Sequence, residues 1–387
     1  MTSDHRSMGS LHGCKVVDLS RVLGGPYCTQ ILADHGAQVI KIEPPGGDET
    51  RGWGPPFLNG TASYFLGVNR NKYGASLDFS QPEGRTALRA LLQDADVLVE
   101  NFKPGTLEKW GLSVELLQKE FPRLIHCRIS GFGADGPLGG LPGYDACAQA
   151  MCGLMSVNGD ADGDATRVGL PVVDMVTGLN AALAILMALN ERQRSNQGQF
   201  LDITLFDCAI SLLHPHAANY FLGGKVPQRT GNAHPNIAPY ESFSTGDGDI
   251  FLAVGNDRQF AMLMKVLGRP DVAEDARFLH NAQRLENRPE LHALLAELLT
   301  AHRASVLAET LMQQGVPAAA ILNVEQLLHH PHTAHRGMVL ERGGYRALAS
   351  PIKLSRTPAA LRRLPPRFDE HADKVAQGWT SLDEAQR

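Results

Sequence analysis

The chain has few cysteines, six in 387 residues, and none of them forms a CxxC pair or a Cys/His spacing that would hold zinc or frame a disulfide network. Its 15 histidines include no HExxH, and no Ser/His/Asp arrangement stands out, so metalloprotease and serine-hydrolase chemistry find no signature. The turn after the first apolar run reads Ser20-Arg21-Val22-Leu23-Gly24-Gly25-Pro26. This lacks the G-x-G-x-x-G spacing, and Pro26 removes a backbone donor, so no nicotinamide cofactor is expected. A formal net charge of −5 gives no basic footprint for nucleic acid. No run approaches the roughly 18 uninterrupted apolar residues of a spanning helix, and no membrane partner is expected. Residues 1–11 lack the apolar core of a signal peptide and are expected to form a loose tail, which with the unpaired cysteines suggests a cytoplasmic or organelle-matrix protein.

What is present is an ordinary enzyme composition, 43% hydrophobic and 20% charged, in a chain longer than one core usually serves. Cys14–Leu19 and Gln38–Glu43 read as buried strands around a helical stretch, Tyr27–His35. Extended runs closing at Leu77, at Asp96–Glu100 and at Leu124–Ser130 alternate with helices over 82–94 and 114–121. The alternation predicts an α/β fold with a Rossmann-like parallel sheet, whose ligands bind beyond the carboxyl ends of the strands. A further strand at Phe200–Leu205 leads into a helix expected from Phe206 to Phe221. From Tyr240 the texture changes to a hairpin around Gly246-Asp247-Gly248-Asp249, followed by helices. The organisation expected is a large domain over 12–222, a smaller α+β domain over 223–325 with linkers near 223–232 and 320–335, and a return to the large domain over 326–387.

Three polar clusters are placed in loops after predicted strands, on the ligand edge of the sheet: Asn69-Arg70-Asn71-Lys72, Glu100 to Gly105 with Lys109 beyond it, and Ser130-Gly131-Phe132-Gly133. Lysine and arginine beside exposed amides suit phosphate, and Phe102 or Phe132 can face a flat or apolar arm. Leu170 to Gly178 brings one carboxylate, Asp174, to the start of the apolar run Leu179–Leu189. Locally Asp174 reads either as a helix cap or as a carboxylate nucleophile.

Long, mutually spaced motifs carry a resemblance from about residue 11 to about residue 360. They are VVDLSRVLGGPYCTQILADHGAQVIKIEPPGGDETRGWGPP (16–56), NRNKYGASLDF (69–79), DVLVENFKPGTLEKWGL (96–112), RISGFGADGP (128–137) and GYDACAQAMCGLM (143–155) leading to Asp174. The chain resembles class III CoA-transferases, the formyl-CoA and carnitine CoA-transferase family. TRGWGPPF (50–57), AANYFLGG (217–224), HPNIAPYESFST (234–245) and AVGNDRQFA (253–261) are most similar to the branch that moves CoA between dicarboxylic acids.

The resemblance implies that Asp174 is the nucleophile, passing through an acyl-aspartyl anhydride and an aspartyl-CoA thioester, with helix N–H groups holding the carboxylate charged. It implies CoA contacts at Val22, Leu23, Asn69, Arg70, Asn71, Lys72, Asn101, Phe102, Lys109 and Phe132. Substrate contacts are implied at Arg51, Trp53, Tyr144, His234, Gly255 and Asn256, the last two on a glycine loop that closes over the aspartate in relatives. Arg51, Arg21 or Arg167 can hold the acceptor's second carboxylate, or Arg51 can simply pair with Asp48 or Glu49. The partners implied are an acyl-CoA, with succinyl-CoA first, and a small acid such as glutarate, hydroxymethylglutarate, itaconate, mesaconate or citramalate. No metal or tightly bound cofactor is implied, and the assembly implied is an interlocked-ring homodimer. The alternatives are a 2-methylacyl-CoA racemase, which would place histidine where Tyr144 stands, and a non-catalytic CoA-binding protein.

Overall fold

A computed structural model describes residues 9–383; residues 1–8 of the expected tail lie outside the described residues. Gly9 is buried and Leu11 half-buried, with Leu11 N–H donating to the His35 carbonyl at 2.9 Å. The described residues divide into two compact units, one formed by residues up to 154, 168–217 and from 332 onward, the other by 155–167 and 218–331. The excursion at 155–167 was not visible in the composition.

The first unit is built on a six-stranded sheet of β1 (Lys15–Asp18), β2 (Gln38–Glu43), β3 (Lys72–Ser76), β4 (Val97–Glu100), β5 (Ile125–Ser130) and β6 (Phe200–Thr204), in the order β3-β2-β1-β4-β5-β6. Every neighbouring pair is parallel. The order reverses direction beside β1, the place where open α/β sheets form their ligand crevice. Successive residues of β1 serve opposite faces. Val16 joins Val39, Val97 and Ile125 on one side, and Val17 joins Ile40 and Leu98 on the other. Strands buried on both faces cannot alternate with polar residues, which is why these runs are apolar throughout.

Helix α1 (Gly24–Asp34) follows β1, α2 (Pro82–Leu92) precedes β4, α3 (Val114–Glu120) precedes β5, and α4 (Asp145–Met151) follows β5. The expected turn at Gly24-Gly25-Pro26 is instead the first turn of α1, where proline's missing N–H goes unmissed. The central helix is α5, Val172–Ser195. It is long and apolar enough to cross a membrane by length and hydropathy. Its buried residues, among them Val173, Thr177, Ala181, Ile185 and Ala188, recur on one face and pack into the core beside α1 and the sheet. The helix expected from Phe206 to Phe221 is two, α6 (Leu205–Ser211) and α7 (His216–Gly223). Pro215 between them lacks a donor and restricts His214, so one continuous helix cannot form.

The second unit has an antiparallel sheet in which β7 (Tyr240–Ser244) pairs with β8 (Asp249–Ala253), and β8 with β9 (Ala318–Ala320). Its own apolar core includes Phe243, Leu252, Phe260, Leu263, Leu295 and Leu311. The stretch 320–335, expected as a linker, folds as two short helices, Val324–Leu328 and Pro331–His335. Asn323 and Gln326 form a reciprocal capping box on the first of them.

Candidate active site

A cavity of about 220 Å³ opens at the carboxyl edge of the sheet, with Asp174 in its wall. The turn after β1 supplies Arg21, Val22, Leu23 and Gly24; the loop after β4 supplies Asn101, Phe102 and Lys103; and Ser130, Gly131 and Tyr144 come from β5 and the chain beyond it. Val22 has φ +68°, an unusual conformation for a β-branched residue and a mark of local backbone strain. The side chain of Asn101 holds this turn from both sides, accepting from the Arg21 N–H at 2.8 Å and donating to the Arg21 carbonyl at 2.7 Å. The Arg21 Nε is buried without a hydrogen-bond partner, and its guanidinium lies 5.9 Å from the centre of the Phe102 ring.

Asp174 is the third residue of α5, inside the first turn, and Pro171 takes the cap position. The backbone N–H groups that a cap would satisfy are taken by another carboxylate: Asp145 Oδ2 accepts from Val173 N–H at 2.8 Å and from Asp174 N–H at 3.1 Å. Asp145 is 8% exposed, and its Oδ1 accepts from the Gln149 amide at 2.6 Å. Asp145 therefore occupies the anion site at the α5 N-terminus, and the Asp174 carboxylate is left facing the cavity. The expectation that helix N–H groups hold Asp174 charged is corrected on this point. Burial, reinforced by the negative charge of Asp145, pushes its carboxyl up to about 7.

Close approach of α1 to this carboxylate depends on glycine. A Cβ on Gly24 would lie 3.3 Å from the Asp174 carbonyl oxygen and 3.6 Å from Oδ1. On the facing helix, a Cβ on Gly178 would lie 2.6 Å from the Gly24 carbonyl oxygen. Two glycines thus allow the backbones of α1 and α5 to meet directly behind the nucleophile candidate.

Of the residues singled out from the sequence, Arg21, Val22, Leu23, Asn101, Phe102, Tyr144 and Asp174 come together on this cavity. Asn69, Arg70, Asn71 and Lys72 do not line it. They precede or begin β3, at the amino end of the strand, and all four are buried. Arg70 grips Asp34 through Nε at 2.9 Å and donates to the Leu348 carbonyl at 2.9 Å. Asn71 donates to Asp34 at 2.8 Å, and Asn69 donates to the Phe65 carbonyl at 2.9 Å. The Lys72 ammonium donates to Asp18, Asn69 and the Pro26 carbonyl at 2.8 to 3.0 Å. Burial pulls Lys72 down to about 8 although Asp18 opposes the shift. All four side chains spend polar atoms inside the fold.

Arg51 makes a two-pronged pair with Glu43 at 2.6 and 2.8 Å and covers the Phe65 ring at 3.8 Å, so its partner is neither Asp48 nor Glu49. Lys109 is exposed, Phe132 packs on Phe206, and Trp53 meets Tyr64 edge to face at 5.2 Å, all outside the cavity lining. His234, Gly255 and Asn256 belong to the second unit. There His234 Nδ1 accepts from Asn236 N–H, Gly255 N–H donates to Gln259, and Asn256 caps α8 (Asp257–Val266). Asp145 was not singled out from the sequence. The available signal was an acidic residue in a helix's first turn followed by glutamine four residues later. That its carboxylate crosses to another helix has no local trace.

The family model described as CoA-transferase family III matches residues 11–372. Succinate–glutarate CoA-transferase of Agrobacterium fabrum is 39% identical over 94% of this chain and 94% of its own length. Succinyl-CoA:glutarate CoA-transferase of Mus musculus is 37% identical over 99% of this chain and 89% of its own. The crystal structure of a CaiB/BaiF family protein from Brucella suis superposes with a TM-score of 0.86 at 42% identity, covering 95% of this chain and 99% of that one.

Proposed function

The chain belongs to CoA-transferase family III, and from that premise we propose that it transfers CoA from succinyl-CoA to a dicarboxylic acid with Asp174 as the nucleophile. The observation that carries this reading is the placement of Asp174: a partly buried carboxylate of raised basicity on a cavity wall, with the helix N–H groups that would quench it already used by Asp145. A carboxylate already stripped of water and basic near neutrality is a stronger nucleophile than a solvated one.

Asp174 attacks the thioester carbonyl, the C–S bond breaks, and CoA leaves as thiolate, giving an acyl-aspartyl anhydride. The thiolate attacks the aspartyl carbonyl and expels the donor as its free carboxylate, leaving an aspartyl-CoA thioester. The acceptor carboxylate attacks that thioester and releases the thiolate. Thiolate attack on the acceptor's carbonyl in the new anhydride then restores Asp174. Each step exchanges one activated acyl bond for another, so no ATP or metal enters, and the demand on the protein is exclusion of water. The similarity to a succinate–glutarate and a succinyl-CoA:glutarate CoA-transferase supports the choice of donor and of acceptor class.

For CoA itself, the reading assigns contacts at Val22, Leu23, Asn101 and Phe102. Arg21 and Lys103 supply positive charge where this cavity adjoins a second hollow lined by Phe79, Phe102 and Trp110. With Arg51 committed to Glu43, Arg21 and Lys103 are cations on the cavity wall. Arg21→Gln is expected to raise KM for the acyl-CoA by about tenfold with a smaller change in kcat, because it removes binding shared by ground and transition states. Steady-state kinetics with varied succinyl-CoA measures this.

The function is tested by incubating the protein with succinyl-CoA and a panel of glutarate, hydroxymethylglutarate, itaconate, mesaconate and citramalate, and following new thioesters by mass spectrometry. Failure of every acid to become a CoA ester overturns the proposal. The racemase alternative would instead exchange the α-proton of a 2-methylacyl-CoA for deuterium without any acceptor.

The reading includes a homodimer. It is supported by Leu179, Leu183, Leu186 and Met187, which form an exposed apolar stripe at helical spacing on α5. Light scattering is expected to give twice the chain mass and to keep it on dilution; a monomer would sink this part of the reading.

A further inference from the structure

A second cavity, of about 550 Å³, lies in the first unit and shares no lining residue with the Asp174 cavity. One wall is the chain from Arg362 to His371, and the opposite side includes the tip of the hairpin Phe57–Leu58/Thr61–Ala62. Among the described residues lining it, the charged and titratable groups are Arg342, Arg362, Arg363, Arg367, His371 and the Tyr345 phenol, against a single carboxylate, Glu370.

The cations are held in place by specific contacts. Asn71 Oδ1 accepts the N–H groups of both Arg362 and Arg363, at 2.7 and 2.9 Å, which fixes the backbone between two adjacent guanidinium groups. Arg363 stacks on the Tyr73 ring with its guanidinium carbon 3.7 Å from the ring centre. Arg342 Nη1 donates to the Arg362 carbonyl at 3.2 Å. Arg362 spends Nη1 on the Asp34 carbonyl at 3.0 Å, while its Nη2 is buried with no hydrogen-bond partner. Glu370 is engaged by Arg367 through the backbone N–H at 2.8 Å and the guanidinium at 3.5 Å.

The charge balance is therefore unmet. Burial holds both Arg362 and Arg363 below the usual guanidinium range, and neither Asp34, Tyr73 nor Glu370 offsets it. Concentrated, partly desolvated guanidinium charge with an idle donor is costly unless an anion completes it. Guanidinium forks match phosphate and carboxylate oxygens in pairs. We propose that this cavity is a second binding site, separate from that of Asp174, for a compact oxyanion carrying at least two negative charges, of the phosphate or polycarboxylate class.

Isothermal titration of the full-length protein with inorganic pyrophosphate, and in parallel with citrate, tests this in low-chloride buffer, with and without saturating CoA. The expected result is one saturable site per chain, with a dissociation constant of about 1 mM or tighter for at least one anion. The stronger of the two arms identifies phosphate or carboxylate as the ligand class. Saturating CoA should leave binding intact. The double variant Arg342→Gln/Arg367→Gln, whose replaced side chains are exposed, should keep the parent's thermal midpoint and bind about tenfold or more weakly. Absence of saturable binding with both anions, displacement by CoA, or unchanged affinity in the double variant would each overturn the proposal.

Discussion

Asp174→Asn is expected to lower kcat/KM for CoA transfer by at least about a thousandfold, the scale on which removal of a covalent nucleophile is usually felt, while making the folded chain more stable above pH 7. The two effects have one cause. In the folded chain the Asp174 carboxyl is pushed up to about 7 by burial and by Asp145, against an ordinary value of 3.8. Between those two values the folded chain keeps a proton that the unfolded chain has lost, so stability falls as pH rises through this window. Below about pH 4 both states are protonated and the penalty is absent; above pH 7 it is fully expressed. Three pKa units set an upper bound of about 4 kcal/mol, and the partial exposure of the side chain reduces this to about 1–3 kcal/mol. Asparagine carries no charge at any of these pH values. Denaturant titrations at pH 8 should therefore show the variant more stable by that amount, and titrations near pH 4 should show no difference. In the parent, kcat/KM should rise with pH along an acid limb centred near 7, since only the ionised carboxylate attacks. Asp174→Ala transferring CoA as fast as the parent would end the nucleophile assignment.

Much of this architecture is written locally. Val16 and Val17 both had to be apolar because each faces a different layer of core, and such runs separated by helical stretches already imply a parallel sheet. The break at Pro215 was equally local and is a matter of reading one residue. The polar interior is different. Arg70 and Asn71 look like surface residues by type, yet they are buried because Asp34, the Leu348 and Ala360 carbonyls and the N–H groups of Arg362 and Arg363 meet them there. Those last partners lie nearly 300 residues away along the chain, beyond any periodicity. The same limit applies to the candidate site. Asp174 was locatable through its motif, but its protonation depends on burial and then on Asp145, whose carboxylate reaches across from α4 to take the N–H groups of α5. A local pattern can mark a helix start without showing which carboxylate caps it.

Gly178→Ala offers the second large effect, and it tests the positioning of the carboxylate instead of its chemistry. On an isolated helix the change would be favourable by about 1 kcal/mol, because alanine restricts the unfolded chain more than glycine does. Here the added methyl would stand 2.6 Å from the Gly24 carbonyl oxygen, 3.0 Å from a Tyr27 ring carbon and 3.4 Å from the Cys28 nitrogen. Two of those three atoms belong to backbone inside α1, so no side-chain rotation relieves the contact. α1 and α5 must move apart, at an overpacking cost of about 1–3 kcal/mol that outweighs the helical gain. The displacement acts where Gly24 abuts Asp174 and where the strained Val22 turn enters the cavity. A shift of under an ångström there misaligns attack on the thioester, so kcat is expected to fall about a hundredfold with KM for succinyl-CoA changed far less. Destabilisation without loss of kcat would mean that the two helices yield behind the carboxylate without moving it. Gly178→Ser, which adds the same clash plus a hydroxyl, should be at least as damaging, whereas Gly169→Ala, where nothing lies within 4 Å of the added methyl, should change neither stability nor turnover appreciably.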